Sequence, residues 1–237
     1  MNRLLLMVFR NWWRVPGAYI KLCHYANNTD KYSEEEMYAH IRYIFLRAVD
    51  SGNMNFKVYG KENIPEESGY MMFSNHQGLF DILAITAAHE KPWAAVLKQE
   101  LYKIPFMKQI VDCTKSYPMD RNDIRQSMEV IKAVTQEVKN GRTYLIFPEG
   151  TRSKKGNKLL EFHNGTFRCA TKSKCVVLPV ALVNTYKAFD EKGSKPIDVE
   201  VHFLKPIPYE EYQGMNTMEV AELVRSRIAE VVEKHAR

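Results

Sequence analysis

From Asn55 onward, short apolar runs alternate with stretches whose apolar residues recur at helical spacing, and few architectures accommodate that alternation. The runs fall at 56–59, 70–74, 93–97, 143–147, 176–183 and 199–204. Most are uninterrupted, as strands covered on both faces require, so the expected fold is α/β, with a central mostly parallel or mixed sheet flanked by helices. Pro179 withholds a ladder donor, which predicts a strand that is kinked, shortened or at an edge. Residues 122–138 read as a helix through Ile124, Met128, Ile131 and Val138, stopped by Asn140-Gly141. A last helix opens at the capping box Asn216-x-x-Glu219 and turns Val220, Val224, Ile228 and Val231 to one side.

A chain of 237 residues, 45% hydrophobic and 26% charged, can bury one medium-sized core, which excludes a disordered, collagen-like or disulfide-stapled molecule. Cys23, Cys113, Cys169 and Cys175 form no C-x-x-C pair. They read as reduced thiols of a cytosolic compartment, with no disulfide framework and no metal site expected.

The net charge of +6 is concentrated at the start, where Arg3, Arg10, Arg14 and Lys21 precede the first acidic residue, Asp30. At about 100° per residue, all four cations share one helical stripe, while Leu5, Phe9, Trp12, Tyr19 and Ile20 occupy the opposite arc. A cationic, aromatic-rich amphipathic helix suits the plane of an anionic membrane surface. The alternative is a helix packing its apolar face on the protein's own core. The longest apolar run, 4–9, is far short of the roughly 20 residues a bilayer span needs. A secretory signal is disfavoured by the absence of a long apolar region and a small-residue cleavage site. Pro16-Gly17 predicts a break after Val15. Ser33-x-x-Glu36 opens a second helix that aligns Met37, Tyr38, Ile41, Ile44, Phe45 and Ala48. Residues 1–52 thus read as a membrane-docking helical hairpin, and 53–237 as the main domain. Nucleic acid is not the expected partner, because the excess charge sits among Trp and Leu.

Two segments leave apolar strands carrying chemistry. Ser74-Asn75-His76-Gln77-Gly78-Leu79-Phe80-Asp81 sets an imidazole and a carboxylate at a strand end, a place where α/β proteins build sites. The two can meet only if the chain turns, which Gly78 permits, and a helix begins near Asp81. Taken alone the pair is weak, since a capping Asp81 beside a surface His76 explains it equally well. The second segment, Phe147-Pro148-Glu149-Gly150-Thr151-Arg152-Ser153, presents a carboxylate and a guanidinium together.

In this order and spacing the two segments resemble the glycerolipid acyltransferase family that includes bacterial 1-acylglycerol-3-phosphate acyltransferase. The family's H-x-x-x-x-D motif falls on His76 and Asp81, and its E-G-T-R motif on Glu149, Gly150, Thr151 and Arg152. Lys98-Gln99-Glu100-Leu101, followed by Ile104-Pro105-Phe106, is similar to the family's next segment. Tyr117-Pro118-Met119-Asp120-Arg121 is similar to its acceptor-binding block, though Met119 is unusual there and a frequent preceding glycine is missing. The stretch 162–167 and Leu178-Pro179-Val180 resemble its later motifs. The likeness covers about 54–183, and the N-terminal hairpin resembles the docking helices of short bacterial members.

The resemblance implies acyl transfer from an acyl carrier protein or coenzyme A thioester to the 2-hydroxyl of 1-acylglycerol 3-phosphate (lysophosphatidic acid), giving phosphatidic acid at the cytoplasmic face of the cell membrane with no cofactor. The chain is then peripheral or monotopic. His76 acts as general base, and Asp81 fixes its tautomer. A backbone N–H of 76–78 is the candidate for the oxyanion. Arg152 and Arg121, then Lys98, are the cations proposed for the phosphate; a solvated role explains Arg121 equally well and suits Lys98 better. Glu149 either binds acceptor hydroxyls or fixes Arg152. Without a G-x-S-x-G elbow or a motif cysteine, an acyl-enzyme has no sequence support. A related lysolipid acceptor, such as lyso-ornithine lipid, and a non-catalytic membrane-binding protein are the rival readings.

Overall fold

The computed structural model describes residues 3–120 and 123–236. In chain order it contains α1 (Arg3–Arg10), α2 (Val15–Ala26), α3 (Glu34–Ser51), β1 (Met54–Tyr59), β2 (Met71–Ser74), α4 (Asp81–Ala88), β3 (Ala94–Lys98) and α5 (Met107–Cys113). There follow β4 (Tyr117–Met119), α6 (Ile124–Lys139), β5 (Tyr144–Ile146), α7 (Arg168–Ser173), β6 (Val177–Val183), β7 (Ile197–Phe203), α8 (Tyr209–Tyr212) and α9 (Thr217–His235).

The seven strands form one sheet in the order β1-β7-β6-β2-β5-β3-β4, parallel at every step except β6 with β7. The central mostly parallel, mixed sheet flanked by helices agrees with the sequence. Two apolar layers cover it. On one face Met71, Phe73, Tyr144 and Ala181 pack with Val134 of α6 and Val224 of α9. On the other, Met72, Leu145, Leu178 and Val201 pack with Ala84 of α4 and with Met7, Tyr38 and Val49 of the N-terminal helices.

Pro179 overturns its expected placement, because β6 runs its full seven residues in the interior of the sheet. The proline stands where the antiparallel ladder ends: its carbonyl still accepts from Leu204 N at 2.9 Å, beyond the last registered pair, Val180 with Phe203. Only one terminal bond is forfeited. The strand at Tyr117–Met119 is an addition to the six expected ones, too short to stand out as a run. In α6, Asp123 caps the first turn by accepting from Gln126 N, and Val130, Val134 and Val138 are buried. Ile124 and Met128 are exposed, so the buried stripe lies to one side of the expected one.

The N-terminal arm differs from its expected form. It breaks at 11–14, ahead of Pro16, which sits in the first turn of α2, where a missing N–H costs nothing. Arg3 is buried and donates to the carbonyls of Lys187 at 2.9 Å and Lys195 at 2.6 Å. Arg10 donates to Ser51 O at 3.0 Å. The cations therefore do not all face one membrane surface. The apolar arc does face outward: Leu5, Phe9, Trp12, Tyr19 and Ile20 are exposed, while Leu6, Met7 and Leu22 are buried in their place. The box at Asn216 and Glu219 is complete, whereas at Ser33 only the cap bond from Glu36 N forms and the Glu36 carboxylate instead accepts from the Tyr25 hydroxyl at 2.7 Å.

Candidate active site

Because β2 pairs in parallel with both β5 and β6, the loops leaving all three strands emerge side by side. These loops supply the site. Asn75 first locks the β2 loop to β6, exchanging two bonds with the Leu182 backbone at 3.0 and 2.8 Å. His76 follows, and α4 starts at Asp81 as the imidazole–carboxylate geometry demands. His76 Nδ1 lies 2.7 Å from Asp81 Oδ2.

Asp81 is fully buried and serves as an acceptor throughout. Oδ2 also takes Gln77 N at 2.6 Å and Gly78 N at 3.0 Å, and Oδ1 takes the Thr185 hydroxyl at 2.5 Å. A carboxylate so saturated cannot swing away from the ring. The same bonds overturn the expected oxyanion donors, since the N–H groups of residues 76–78 are all engaged. Gly78 is needed for proximity, because a Cβ there would stand 3.1 Å from Tyr186 Cα.

With Nδ1–H given to Asp81, Nε2 is the lone-pair nitrogen of the ring. Nε2 has no hydrogen-bond partner among the described residues, and the side chain is 19% exposed. Phe147 backs the ring, its centroid 4.1 Å away and its plane tilted by 18°. The arrangement presents one basic nitrogen outward from a braced imidazole.

Glu149 is almost wholly buried, and both of its carboxylate oxygens are taken by backbone N–H groups instead of by Arg152. Oε1 accepts from His76 N at 3.0 Å and Oε2 from Leu160 N at 3.3 Å. Burial pushes its carboxyl up to about 7, against the downward pull of those two N–H groups. Ser153 N donates to His76 O at 2.8 Å, so the second motif grips the His76 peptide from both sides. Gly150, at φ +67°, makes the left-handed turn between them.

Arg152 makes no ion pair with a described residue and lines a cavity of about 380 Å³ with Lys154, Gly156, Tyr186, Asp190 and Glu191. Thr151 is exposed. Lys98 is exposed and pairs with Glu100 at 2.8 Å. Arg121 lies outside the described residues. A second cavity, about 400 Å³ and almost wholly apolar, runs between the N-terminal helices and α4, lined by Val8, Tyr19, Ile44, Leu83, Phe106 and Phe189 among others.

Sequence reasoning missed Gln77, Asn157, Asn184 and Thr185, which form the frame behind the couple. Gln77 Nε2 donates to Leu182 O at 2.8 Å and to Asn157 Oδ1 at 2.9 Å, while its Oε1 accepts from Thr185 N at 2.9 Å. Asn157 Nδ2 reaches Asn184 Oδ1 at 2.9 Å. Thr185 and Asn184 follow an apolar run and carry no local motif.

A family model described as Acyltransferase matches residues 55–183. A 1-acyl-sn-glycerol-3-phosphate acyltransferase of Helicobacter pylori is 36% identical over 52% of this chain and 51% of its own length. One of Saccharomyces cerevisiae is 28% identical over 76% of this chain and 61% of its length, and one of Salmonella typhimurium 31% over 67% and 66%. The chain thus spans between half and two thirds of these relatives. In fold it is similar to the crystal structure of the 1-acyl-sn-glycerophosphate (LPA) acyltransferase PlsC from Thermotoga maritima, with a TM-score of 0.78, 24% identity, and coverage of 99% of this chain and 98% of that one.

Proposed function

Because this chain belongs to the acyltransferase family, we propose that it moves a fatty acyl group from an acyl carrier protein or coenzyme A thioester to the 2-hydroxyl of 1-acylglycerol 3-phosphate, giving phosphatidic acid. The observation that carries the reading is the His76–Asp81 couple, with Nε2 directed away from the 2.7 Å bond that orients it. Nε2 takes the hydroxyl proton as the oxygen attacks the thioester carbonyl. A C–O bond forms, the C–S bond breaks, and the imidazolium returns the proton to the departing thiolate. Asp81 stabilises the imidazolium without taking its proton. General-base action of this kind supplies about 10² to 10⁴ in rate.

Direct transfer is favoured over an acyl-enzyme. Ser74 is buried, its hydroxyl donated to Asn75 O at 3.1 Å. Burial pushes the Cys113 and Cys169 thiols up to about 12 and raises Cys175 as well, which suppresses the thiolate a covalent route needs. Arg152 is the cation for the acceptor phosphate, with Arg121 and Lys98 as further candidates, and the apolar cavity suits a fatty chain. No cofactor is needed, since the thioester is already activated.

Residues 1–52 dock the molecule on an anionic membrane and 53–237 carry the chemistry, at the cytoplasmic face. Among the described residues no helix is long and apolar enough to cross a membrane, and the exposed arc of α1 and α2 fits an interfacial position. The test is a donor-by-acceptor matrix: acyl carrier protein and coenzyme A thioesters against 1-acylglycerol 3-phosphate, glycerol 3-phosphate and lyso-ornithine lipid, reading free thiol and lipid product. Turnover with 1-acylglycerol 3-phosphate is expected, reduced at least about a hundredfold in His76→Ala. Turnover with another acceptor alone overturns the substrate, and undiminished turnover in the variant overturns the mechanism.

A further inference from the structure

The two faces of β7 meet different surroundings. Val199, Val201 and Phe203 enter the apolar layer on the α4 side, while Glu200 and His202 point to the α9 side. Their β6 partners, Val183 and Ala181, belong to the apolar layer beneath α9. Three good metal donors therefore lie at the border of that apolar layer, where His235 of the last turn of α9 joins the two strand residues. Glu200 is 9% and His202 6% exposed.

Glu200 Oε2 is 2.9 Å from His202 Nε2 and 2.9 Å from His235 Nδ1. All three donor atoms lie within 4.8 Å of one another. The imidazole centroids are 4.5 Å apart. Tyr59, opposite His202 in β1, stacks on its ring at 4.6 Å and holds its plane. Lys57 approaches the other carboxylate oxygen, 4.0 Å from Oε1, while lying nearer Asp198 at 3.7 Å. Oε2 is thus the oxygen the two histidines share. Oε2 can accept from both imidazoles at once, and the convergence also gathers two ring nitrogens and a carboxylate oxygen around one point. An ion accepting a lone pair from each of the three suits the same convergence.

We propose that Glu200, His202 and His235 hold one divalent transition-metal ion of the zinc class, which fastens the end of α9 to β7. Two imidazoles and one carboxylate suit zinc in preference to magnesium or calcium, which take oxygen ligands. Three protein ligands leave a fourth position for water, and the His235 side chain, 31% exposed, offers the way in.

The experiment titrates chelator-treated full-length protein with zinc by calorimetry, follows thermal unfolding with and without zinc, and uses magnesium as the control. His235→Ala is the main variant, since it sits at an exposed helix end and its loss spares the core; His202→Ala and His76→Ala accompany it. Wild type and His76→Ala are expected to bind one equivalent and to melt at higher temperature with zinc. His235→Ala is expected to bind at least about tenfold more weakly and to lose the rise. No zinc binding by wild type, binding undiminished in His235→Ala, or binding lost instead in His76→Ala overturns the proposal.

Discussion

Thr185 brings a hydroxyl 2.5 Å from Asp81 Oδ1 at a position with no exposure to solvent. Replacing it by the isosteric valine leaves one carboxylate oxygen buried without that donor, at a cost of about 1–3 kcal/mol. In Thr185→Val, kcat is expected to fall about tenfold with KM little changed, and Thr185→Ser to restore it, because the loss concerns how the imidazolium is held and not how substrate binds. Steady-state kinetics check this; a KM effect alone contradicts it. Glu149 gives a pH signature. Its folded carboxyl near 7 lies above its ordinary 4.5, so the stability it contributes is complete below 4.5 and lost as pH rises to 7. Urea unfolding at about pH 5 and about pH 8 should show wild type losing about 3 kcal/mol relative to the non-titrating Glu149→Gln. Parallel curves for the two proteins refute it. At this scale His76, Asp81, Glu149 and Arg152 were legible because each belongs to a local motif. Thr185 and Gln77 were not, since their roles arise from strands that meet only after folding.

At the scale of elements, the first arm of the N-terminal segment keeps its amphipathic character while its cations are redistributed. Arg3 is spent on carbonyls of the 187–195 segment, which removes about 1 kcal/mol of headgroup attraction. Burying a large apolar side chain contributes about 1.5–3 kcal/mol, so exposed Phe9, Trp12, Trp13 and Ile20 outweigh the cations that remain. Substituting these four by serine is therefore expected to abolish sedimentation with anionic vesicles and leave the melting temperature within a few degrees. Raising salt should weaken wild-type binding only modestly. Full retention by the variant, or release by salt alone, contradicts this account. The capped starts of α3 and α9 were readable because a cap is a contact between near neighbours, while the Asp123 cap of α6 emerged only with the structure. The break at 11–14 was misplaced, since a proline fits the start of a helix as well as it ends one.

Across the whole molecule, alternation of apolar runs with helical patterns was enough to yield the layered architecture, because both-face burial leaves a mark on every strand. Strand order leaves none. The position of Pro179 in the interior followed from a fact no single strand carries, namely that β7 stops where the proline begins to matter. The trio Glu200, His202 and His235 likewise joins residues of β7 and α9 that share no ligand spacing. The reciprocal grip between the His76 peptide and the 149–153 loop has a broader consequence. Since β2 and β5 are immediate neighbours, everything the chain does between them is an excursion that begins and ends at the same seam. The part of that excursion beyond α4 can therefore change in length without disturbing His76 and Asp81, which stand at its start.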